Sequence, residues 1–347
     1  MLIAVDRNSL QAVKKDKNNY VYLYEEEKLE NLLKLDLHCM NYKYCNFVDI
    51  NLTDYDIECT KKASINEKNY DKLPDKKNYK FAIIIPNCNN DRGNYNGKTF
   101  LRNCIESILN QTYTDYNVVF VDDCSIDTSV ETIKSYNDTR IHIIQNKRKR
   151  YNGGSRNVGI DYALDNLEFD YFCFLDSDDW WKHNKVLEII NNRLYNHHLA
   201  LIGMELIDKN GVFMTKFHNY RNYEDFFLSD NKVWCTAWAR VIRKDKIAYF
   251  CEDTLMEDRV WSYRQADNVD LDKVINIKEV CYVWNRTNTT NSVSMVRNDY
   301  WNASAYCHIG HQLQLLDQLK HKEMIPILKQ RIEICKNKIK NGIYQQF

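Results

Sequence analysis

Residues 172–180 read FCFLDSDDW, an apolar run that ends in three carboxylates within four positions. The run predicts a buried β-strand, and Asp176, Asp178 and Asp179 follow where that strand ends. Carboxylates are rarely buried without a partner, so a strand end of this kind needs a compensating cation. Hard oxygen ligands suit Mg²⁺ or Mn²⁺ carrying substrate phosphates. A polar turn after a core strand is the alternative interpretation of the same residues.

Strands and helices alternate in the sequence before this stretch. Apolar runs predict three further strands, and a helix is predicted after each of them, the first from apolar residues at helical spacing. This βαβ alternation predicts an α/β fold with a mostly parallel sheet flanked by helices. Polar residues follow the strands, at the edge where open α/β sheets bind ligands. The predicted strands are residues 81–85, 118–121 and 141–144, and the predicted helices are residues 99–109, 128–136 and a segment ending at residue 164.

The composition limits the class of protein. Hydrophobic residues make up 44% of the 347, enough for a packed core, and 48 basic against 48 acidic residues give no net charge that would favour nucleic acid or an anionic membrane. The 12 cysteines show neither a C-x-x-C pair nor zinc spacing, which favours a reducing compartment. We find no signal-peptide pattern and no apolar stretch of roughly 18 residues. We therefore expect a soluble, cytoplasmic protein without a membrane span.

Two common nucleotide-binding motifs are absent from the sequence. Gly153, Gly154 and Gly159 do not form the pattern G-x-G-x-x-G, and the pattern G-x-x-x-x-G-K-[ST] does not occur. A dehydrogenase and a P-loop enzyme are therefore disfavoured.

Several short motifs occur in order between residues 83 and 179. They are IIIPNCN at 83–89, LRNCIESILNQTY at 101–113, VFVDDCSID at 119–127, NGGSRNVG at 152–159 and LDSDD at 175–179. This series resembles the nucleotide-sugar domain of family 2 glycosyltransferases, the inverting class with the GT-A fold. The resemblance covers roughly residues 80–290. Asn87, Cys88 and Cys124 depart from the family pattern, and Cys124 stands where the family has glycine, which leaves the detail of the base pocket open.

The resemblance divides the chain into three regions. Residues 1–75 are expected to form a small N-terminal accessory region of mixed α+β structure, whose role could be packing, partner binding or acceptor recognition. Residues 76–295 are expected to form the GT-A domain. Residues 296–347 carry apolar residues at helical spacing and are expected to form a C-terminal helical extension, divided near Pro326.

The resemblance also implies residues that bind the donor. Asp122 and Asp123 lie where the family recognises a uracil-like base and ribose, although both residues also suit a turn. Arg156 is expected to counter the diphosphate, and Arg286 or the serine-containing loop at 291–294 could fold over it. The basic run at 147–150 could assist or form a solvated loop. The complete donor-binding set is Pro86, Asn89, Asp122, Asp123, Arg156, Asp176 and Arg286.

The metal and the catalytic base follow from two acidic motifs. Asp178 is the first candidate metal ligand, and Asp176 contributes to metal or ribose binding. Asp179 binds metal or sugar, or caps a helix expected to begin near Trp180. Downstream, Glu257 and Asp258 resemble the family's E-D motif, in which the Asp is the base that removes the acceptor hydroxyl's proton. Glu257 then has a supporting or acceptor-binding role.

These features together predict a metal-dependent inverting glycosyltransferase. The expected cofactor is Mn²⁺ or Mg²⁺, the expected donor is a nucleotide-diphosphate sugar such as a UDP-sugar, and the expected acceptor is a hydroxyl of a glycan or glycolipid precursor. A hydroxymethylated DNA base is an alternative acceptor. A non-catalytic sugar-nucleotide-binding or scaffold module is an alternative of another class. His308 and His311 are either contacts to metal or phosphate, or structural residues.

Overall fold

The computed structural model describes residues 78–146, 151–217, 223, 237–252, 257–287 and 300–341. Three features of the sequence analysis lie outside these residues: the N-terminal region 1–75, the basic run 147–150 and the serine-containing loop 291–294.

The described part of the chain contains nine strands and seven α-helices. The strands are β1 (Phe81–Asn87), β2 (Tyr116–Asp122), β3 (Ile141–Gln145), β4 (Tyr171–Phe174), β5 (Trp180–Trp181), β6 (Leu199–Asp208), β7 (Gly211–Lys216), β8 (Arg240–Arg243) and β9 (Val274–Asn285). The helices are α1 (Phe100–Leu109), α2 (Ser129–Ser135), α3 (Tyr151–Asn166), α4 (Val186–Leu194), α5 (Glu257–Asp267), α6 (Tyr300–Gln318) and α7 (Met324–Lys340).

All nine strands belong to one sheet, in the order β3-β2-β1-β4-β8-β6-β9-β5, with β7 paired to β6. Strands β3, β2, β1 and β4 run parallel, which confirms the predicted α/β class. The other half of the sheet is mixed, because β8 runs antiparallel to both β4 and β6, whereas β6 and β9 are parallel. Apolar runs at residues 199–204 and around Cys281 indicated β6 and β9, whereas β5, β7 and β8 were not predicted from the sequence.

The carboxyl ends of the first strands meet at one edge of the sheet. Asn87 at the end of β1 pairs in register with Asp122 at the end of β2. Strand β4 ends at Phe174, which pairs with Ile84, so Asp176 follows at the same edge. This register places the polar residues after β1, β2 and β4 next to one another, as the strand order predicts.

Each face of the sheet covers its own hydrophobic core, as expected for strands that are apolar on both sides. One core joins β1, β2 and β4 to helices α1 and α4, with Phe81, Leu101 and Leu187 among its buried residues. The other core lies on the opposite face and includes residues of α3 and α5. Helices α6 and α7 contribute Ile309, Leu315, Leu328 and Ile332 to this second core.

Two local expectations have different outcomes. The predicted break between the C-terminal helices lies between Gln318 and Met324, and Pro326 occupies the first turn of α7, where proline is tolerated. The expected helix near Trp180 is wrong. Trp180 and Trp181 form strand β5, paired antiparallel with Val283 and Tyr282 of β9.

No helix in the described ranges has both the length and the apolar character needed to cross a membrane.

Candidate active site

A hydrogen-bonded turn joins the ends of β1 and β2. Asp122 is buried, and its two carboxylate oxygens accept hydrogen bonds from Asn87 Nδ2 at 3.4 Å and from the backbone N–H of Ser125 at 3.2 Å. Asn89 Oδ1 accepts from the backbone N–H of Ile126 at 2.7 Å. The side chains of Asp122 and Asn89 therefore hold this turn, and Pro86 lies within the buried strand β1.

Asp123 is the more exposed carboxylate of the Asp122–Asp123 pair. Its Oδ1 accepts from Asn146 Nδ2 at 3.1 Å, after β3, and its side chain is half-buried. The next residue, Cys124, has a φ of 58°, a left-handed conformation that favours glycine. This conformation gives a physical reason for the glycine that the family has at this position.

The three carboxylates after β4 have different surroundings. Asp179 is buried, and its oxygens accept hydrogen bonds from the Tyr282 hydroxyl at 2.5 Å and the Asn285 backbone N–H at 2.8 Å. Burial, together with the charges of Asp178 and Asp176, holds the pKa of Asp179 well above its usual range. Asp179 therefore connects the motif to β9 through hydrogen bonds. Because no helix begins at Trp180, Asp179 does not cap a helix.

Asp178 combines a raised pKa with partial exposure to solvent. Its side chain is half-buried, and burial together with the negative charge of Asp176 raises its pKa to about 6. The positive charges of Arg92 and Arg286 oppose this rise. Arg286 also lies with its guanidinium carbon 5.0 Å from the centre of the Trp284 ring.

The carboxylates of Asp176 and Asp178 suit a hard divalent cation that binds together with a phosphate. Asp176 and Asp178 supply carboxylate oxygens, and the repulsion between them is what a bound cation would relieve. Within the described ranges there is no group of three or more His, Cys, Asp or Glu side chains that could enclose a metal alone. Mg²⁺ commonly needs only one or two carboxylates when substrate phosphates complete its coordination, so two aspartates fit this mode.

Arg156 connects this motif to the E-D motif. The guanidinium donates through Nη2 to Asp176 Oδ1 at 2.7 Å and through Nη1 to Glu257 Oε1 at 2.7 Å. Arg156 lies on α3, and Glu257 is the first residue of α5. The structure thus brings Asp176, Arg156 and Glu257 into one cluster, next to Asp258.

Both acidic residues of the E-D motif have a raised pKa. Burial raises the pKa of Glu257 to about 7, with Arg156 opposing the rise and Asp258 adding to it. Burial also raises the pKa of Asp258, against the charges of Arg259 and Arg156. A carboxylate with a raised pKa is a stronger proton acceptor once ionised, which suits a general base.

Several residues that contribute to the site were not predicted as site residues from the sequence. Arg92 lies in a polar loop without a motif, and its charge acts on Asp178. Tyr282 is buried in β9 and bonds Asp179 across 103 positions of sequence. Asn157 binds the backbone of Phe250 through both ends of its amide, at 2.8 and 2.9 Å. Asn157 belongs to the motif at residues 152–159, but the sequence did not predict its contact with Phe250.

The candidate histidines His308 and His311, and also Trp238, are buried. His308 and His311 are buried on α6, where His308 Nε2 lies 2.7 Å from Gln312 Nε2, and burial lowers the pKa of His308 well below its usual range. Trp238 is buried and stacks on Tyr282, with ring centres 4.3 Å apart, as a core residue.

The comparison with protein families matches residues 82–250 to the model described as "Glycosyl transferase family 2". This stretch is a family 2 glycosyltransferase domain. The family 2 domain thus includes the turn after β1 and β2, Arg156 and all three aspartates after β4. Glu257 and Asp258 lie just beyond the matched residues.

Curated relatives of the family 2 domain are bacterial glycosyltransferases. The chain is 30% identical over 135 residues to the Escherichia coli protein "UDP-Glc:alpha-D-GlcNAc-diphosphoundecaprenol beta-1,3-glucosyltransferase WfgD", covering 39% of this chain and 49% of WfgD. It is 26% identical over 222 residues to the Staphylococcus aureus protein "Poly(ribitol-phosphate) beta-N-acetylglucosaminyltransferase TarS", covering 60% of this chain and 36% of TarS. The chain therefore spans less than half the length of these relatives.

A solved structure shares the fold. The crystal structure of residues 1–349 of S. aureus TarS in complex with UDP superposes with a TM-score of 0.50 and 19% sequence identity, covering 73% of this chain and 70% of that one. At this identity the likeness supports the GT-A fold.

Proposed function

We propose that this protein is an inverting glycosyltransferase that moves a sugar from a nucleotide-diphosphate sugar to a hydroxyl acceptor. The observation that carries this proposal is the bridge from Arg156 to Asp176 and Glu257. Through it, a motif suited to a donor diphosphate and a motif suited to a general base lie on two sides of one guanidinium. An inverting transfer needs these two functions close together, because the acceptor attacks on the side opposite the leaving phosphate.

In the proposed site, Asp178 and Asp176 hold the donor diphosphate through a divalent cation, Mn²⁺ or Mg²⁺. Such a cation, when bound, neutralises charge on the phosphate oxygens as the sugar–phosphate bond breaks. Arg286 and Arg92 supply positive charge on the same side of the site, as their effect on the pKa of Asp178 indicates.

Asp258 acts as the base in this proposal. Its carboxylate accepts the proton of the acceptor hydroxyl while the hydroxyl oxygen forms a bond to the anomeric carbon. The bond from that carbon to the phosphate oxygen breaks in the same step, and the nucleoside diphosphate leaves with the bonding electrons. Glu257, held by Arg156, supports Asp258 from the neighbouring position.

The proposed donor is a UDP-sugar. Asp123 is half-buried in the turn after β2, and its carboxylate can accept the N3–H of a uracil. The name of WfgD, a relative at 30% identity, specifies UDP-Glc. The same name specifies a lipid-linked sugar acceptor, and TarS is named for a polymeric one. We therefore propose a glycan or glycolipid precursor as the acceptor.

The test is a panel of nucleotide sugars offered to the purified protein with Mn²⁺, with Mg²⁺ and with EDTA. We expect one UDP-sugar to be hydrolysed slowly without acceptor, with release of UDP that EDTA abolishes. If a nucleotide sugar binds but none is hydrolysed, the result would instead favour a non-catalytic sugar-nucleotide-binding module. If no nucleotide sugar binds with either metal, the proposed function is wrong.

A further inference from the structure

Arg156 sits where a diphosphate contact is expected, but its surroundings are those of a structural link. Its side chain is only 3% exposed, and both terminal nitrogens are already bonded to carboxylates. Its guanidinium carbon lies 5.3 Å from the centre of the Phe250 ring. A guanidinium enclosed in this way has little surface left for a substrate phosphate.

The two carboxylates that Arg156 joins belong to distant parts of the chain. Asp176 is 20 residues away and follows β4, whereas Glu257 is 101 residues away and begins α5. The planar fork of an arginine fixes both distance and angle between two carboxylates, which a lysine cannot do. The position of α5 relative to the aspartates after β4 therefore depends on this side chain.

Two neighbours of Arg156 on α3 hold the segment that leads into α5. Asn157 bonds the backbone N–H and C=O of Phe250 and reaches Glu252 Oε1 at 3.2 Å. A Cβ atom on Gly153 would lie 2.1 Å from the carbonyl oxygen of Cys251 and 3.2 Å from Cβ of Glu257. The first turns of α3 thus pack directly against residues 250–252 and against the first residue of α5.

We infer that Arg156 is a positioning residue that sets the place of the E-D motif relative to the aspartates after β4. It acts through Glu257 and Asp176 and does not bind the donor diphosphate. A buried ion bridge is weak evidence for stability alone, since apolar residues of similar size often serve as well. The inference rests on the proposed function for its catalytic consequence, but the structural link can be tested without it.

The first test is hydrogen–deuterium exchange in residues 257–267 of the full chain. Arg156→Met removes the bridge, and Arg243→Met is the matched control. Arg243 forms a buried two-bond ion pair with Asp245, at the opposite end of β4 from Asp176. We expect Arg156→Met to accelerate exchange in α5 by about tenfold relative to Arg243→Met at equal loss of melting temperature. Equal exchange in the two variants would overturn the inference.

The second test separates positioning from donor binding. In Arg156→Met we expect the rate constant at saturating donor to fall about 100-fold, with the dissociation constant for UDP changed less than about threefold. Arg156→Lys keeps a charge but cannot span both carboxylates, so we expect it to resemble Arg156→Met. In a Glu257→Gln background, Arg156→Met should have a smaller effect than in the wild type.

Two kinetic outcomes would contradict the inference. If Arg156→Met loses affinity for UDP while its rate constant stays unchanged, Arg156 is a diphosphate contact. Wild-type turnover by Arg156→Lys would show that charge alone is sufficient. If the wild type itself turns over no nucleotide sugar, the proposed function fails, and the exchange comparison still decides whether Arg156 positions α5.

Discussion

The carboxylates of the site differ in how many of their oxygens are already engaged. Asp122 and Asp179 accept hydrogen bonds on both oxygens from residues that hold a turn or a strand. Asp176 shares one oxygen with Arg156. Asp178 and Asp258 accept no hydrogen bond from another residue within the described ranges. A carboxylate whose two oxygens already accept hydrogen bonds has fewer lone pairs left for a ligand, so Asp178 and Asp258 are the two best placed to act on substrate.

The E-D motif gives a prediction for the pH dependence of the rate. A base must be ionised to accept a proton, so the rate constant falls as pH falls through the pKa values of the Glu257–Asp258 pair. Because burial raises both pKa values, we expect the midpoint of this acid limb well above the ~3.9 of an unperturbed aspartate. The measurement is the rate of UDP release at saturating donor between pH 5 and about 9. A rate constant that stays level down to pH 5 would contradict this account.

Asp178 gives a prediction for metal dependence. We expect Asp178→Asn to reduce the gain in UDP affinity that Mn²⁺ provides by about tenfold or more, because the variant loses a charged oxygen ligand. Isothermal titration with Mn²⁺ and with EDTA measures this gain. Asp165→Asn changes an exposed aspartate on α3 and serves as the control. The same gain in both variants would remove Asp178 from the proposed metal site.

Residue identities could be predicted from the sequence more readily than residue partners. The motifs place acidic and basic side chains after the strands, and the structure brings Asp176, Arg156 and Glu257 together as a group. The bonds themselves cross 20 and 101 positions of sequence, and the bond from Tyr282 to Asp179 crosses 103. Local patterns carry no information over such separations, which is why the sequence indicated Arg156 and Asp179 as site residues without indicating the residues that they contact.

At the scale of elements, helix α3 sets much of the geometry of the site. Its glycines mark close approaches: a Cβ atom on Gly159 would lie 2.5 Å from Cγ2 of Ile84 and 3.1 Å from Cγ2 of Val121. The helix can therefore lie tightly on β1 and β2, and this contact carries Arg156 and Asn157 toward the start of α5. The same glycines do not form a nucleotide-binding loop.

Gly159→Ala tests this close approach. We expect overpacking against β1 and β2 to cost about 1–3 kcal/mol, more than offsetting the gain in helix propensity. The measurement is the midpoint of denaturant unfolding. Asp165→Ala, at an exposed position of the same helix, should leave the midpoint unchanged or raise it. An increase in stability for Gly159→Ala would show that α3 has room on the sheet.

The predictability of the elements follows their length and burial. Strands β1 and β2 are continuous apolar runs, and helix α1 has clear helical spacing, so these elements were predicted. Strand β5 has only two residues, and β8 has only two apolar residues between two arginines, so neither forms an apolar run. Their places in the sheet depend on pairing with β9, β4 and β6.

At the scale of the whole molecule, the C-terminal helices are part of the main core. Leu328, Ile332, Cys335 and Ile339 of α7 are buried in the same cluster as residues of α3, α5 and the sheet. An appended helical extension would bury such residues among themselves. We therefore expect α6 and α7 to be required for the stability of the sheet.

Leu328→Ala tests this integration. We expect a loss of about 2–5 kcal/mol in unfolding free energy, because the side chain leaves a cavity in a shared core. Lys329→Ala, at an exposed neighbouring position, is the control. Circular dichroism follows the helices, and the near-ultraviolet signal follows the aromatic core around the sheet. Two separate transitions, with only the first affected by Leu328→Ala, would show that the C-terminal helices fold apart from the sheet.

The most direct test of the central claim is the pair of values for rate constant and donor affinity in Asp258→Asn. Loss of the base should lower the rate constant for sugar transfer by about 100- to 10,000-fold while leaving the dissociation constant for UDP nearly unchanged. Asp272→Asn, at a strongly exposed position, should match the wild type in both values. A wild-type rate constant in Asp258→Asn would contradict the account, because the proton of the acceptor would then leave by another route.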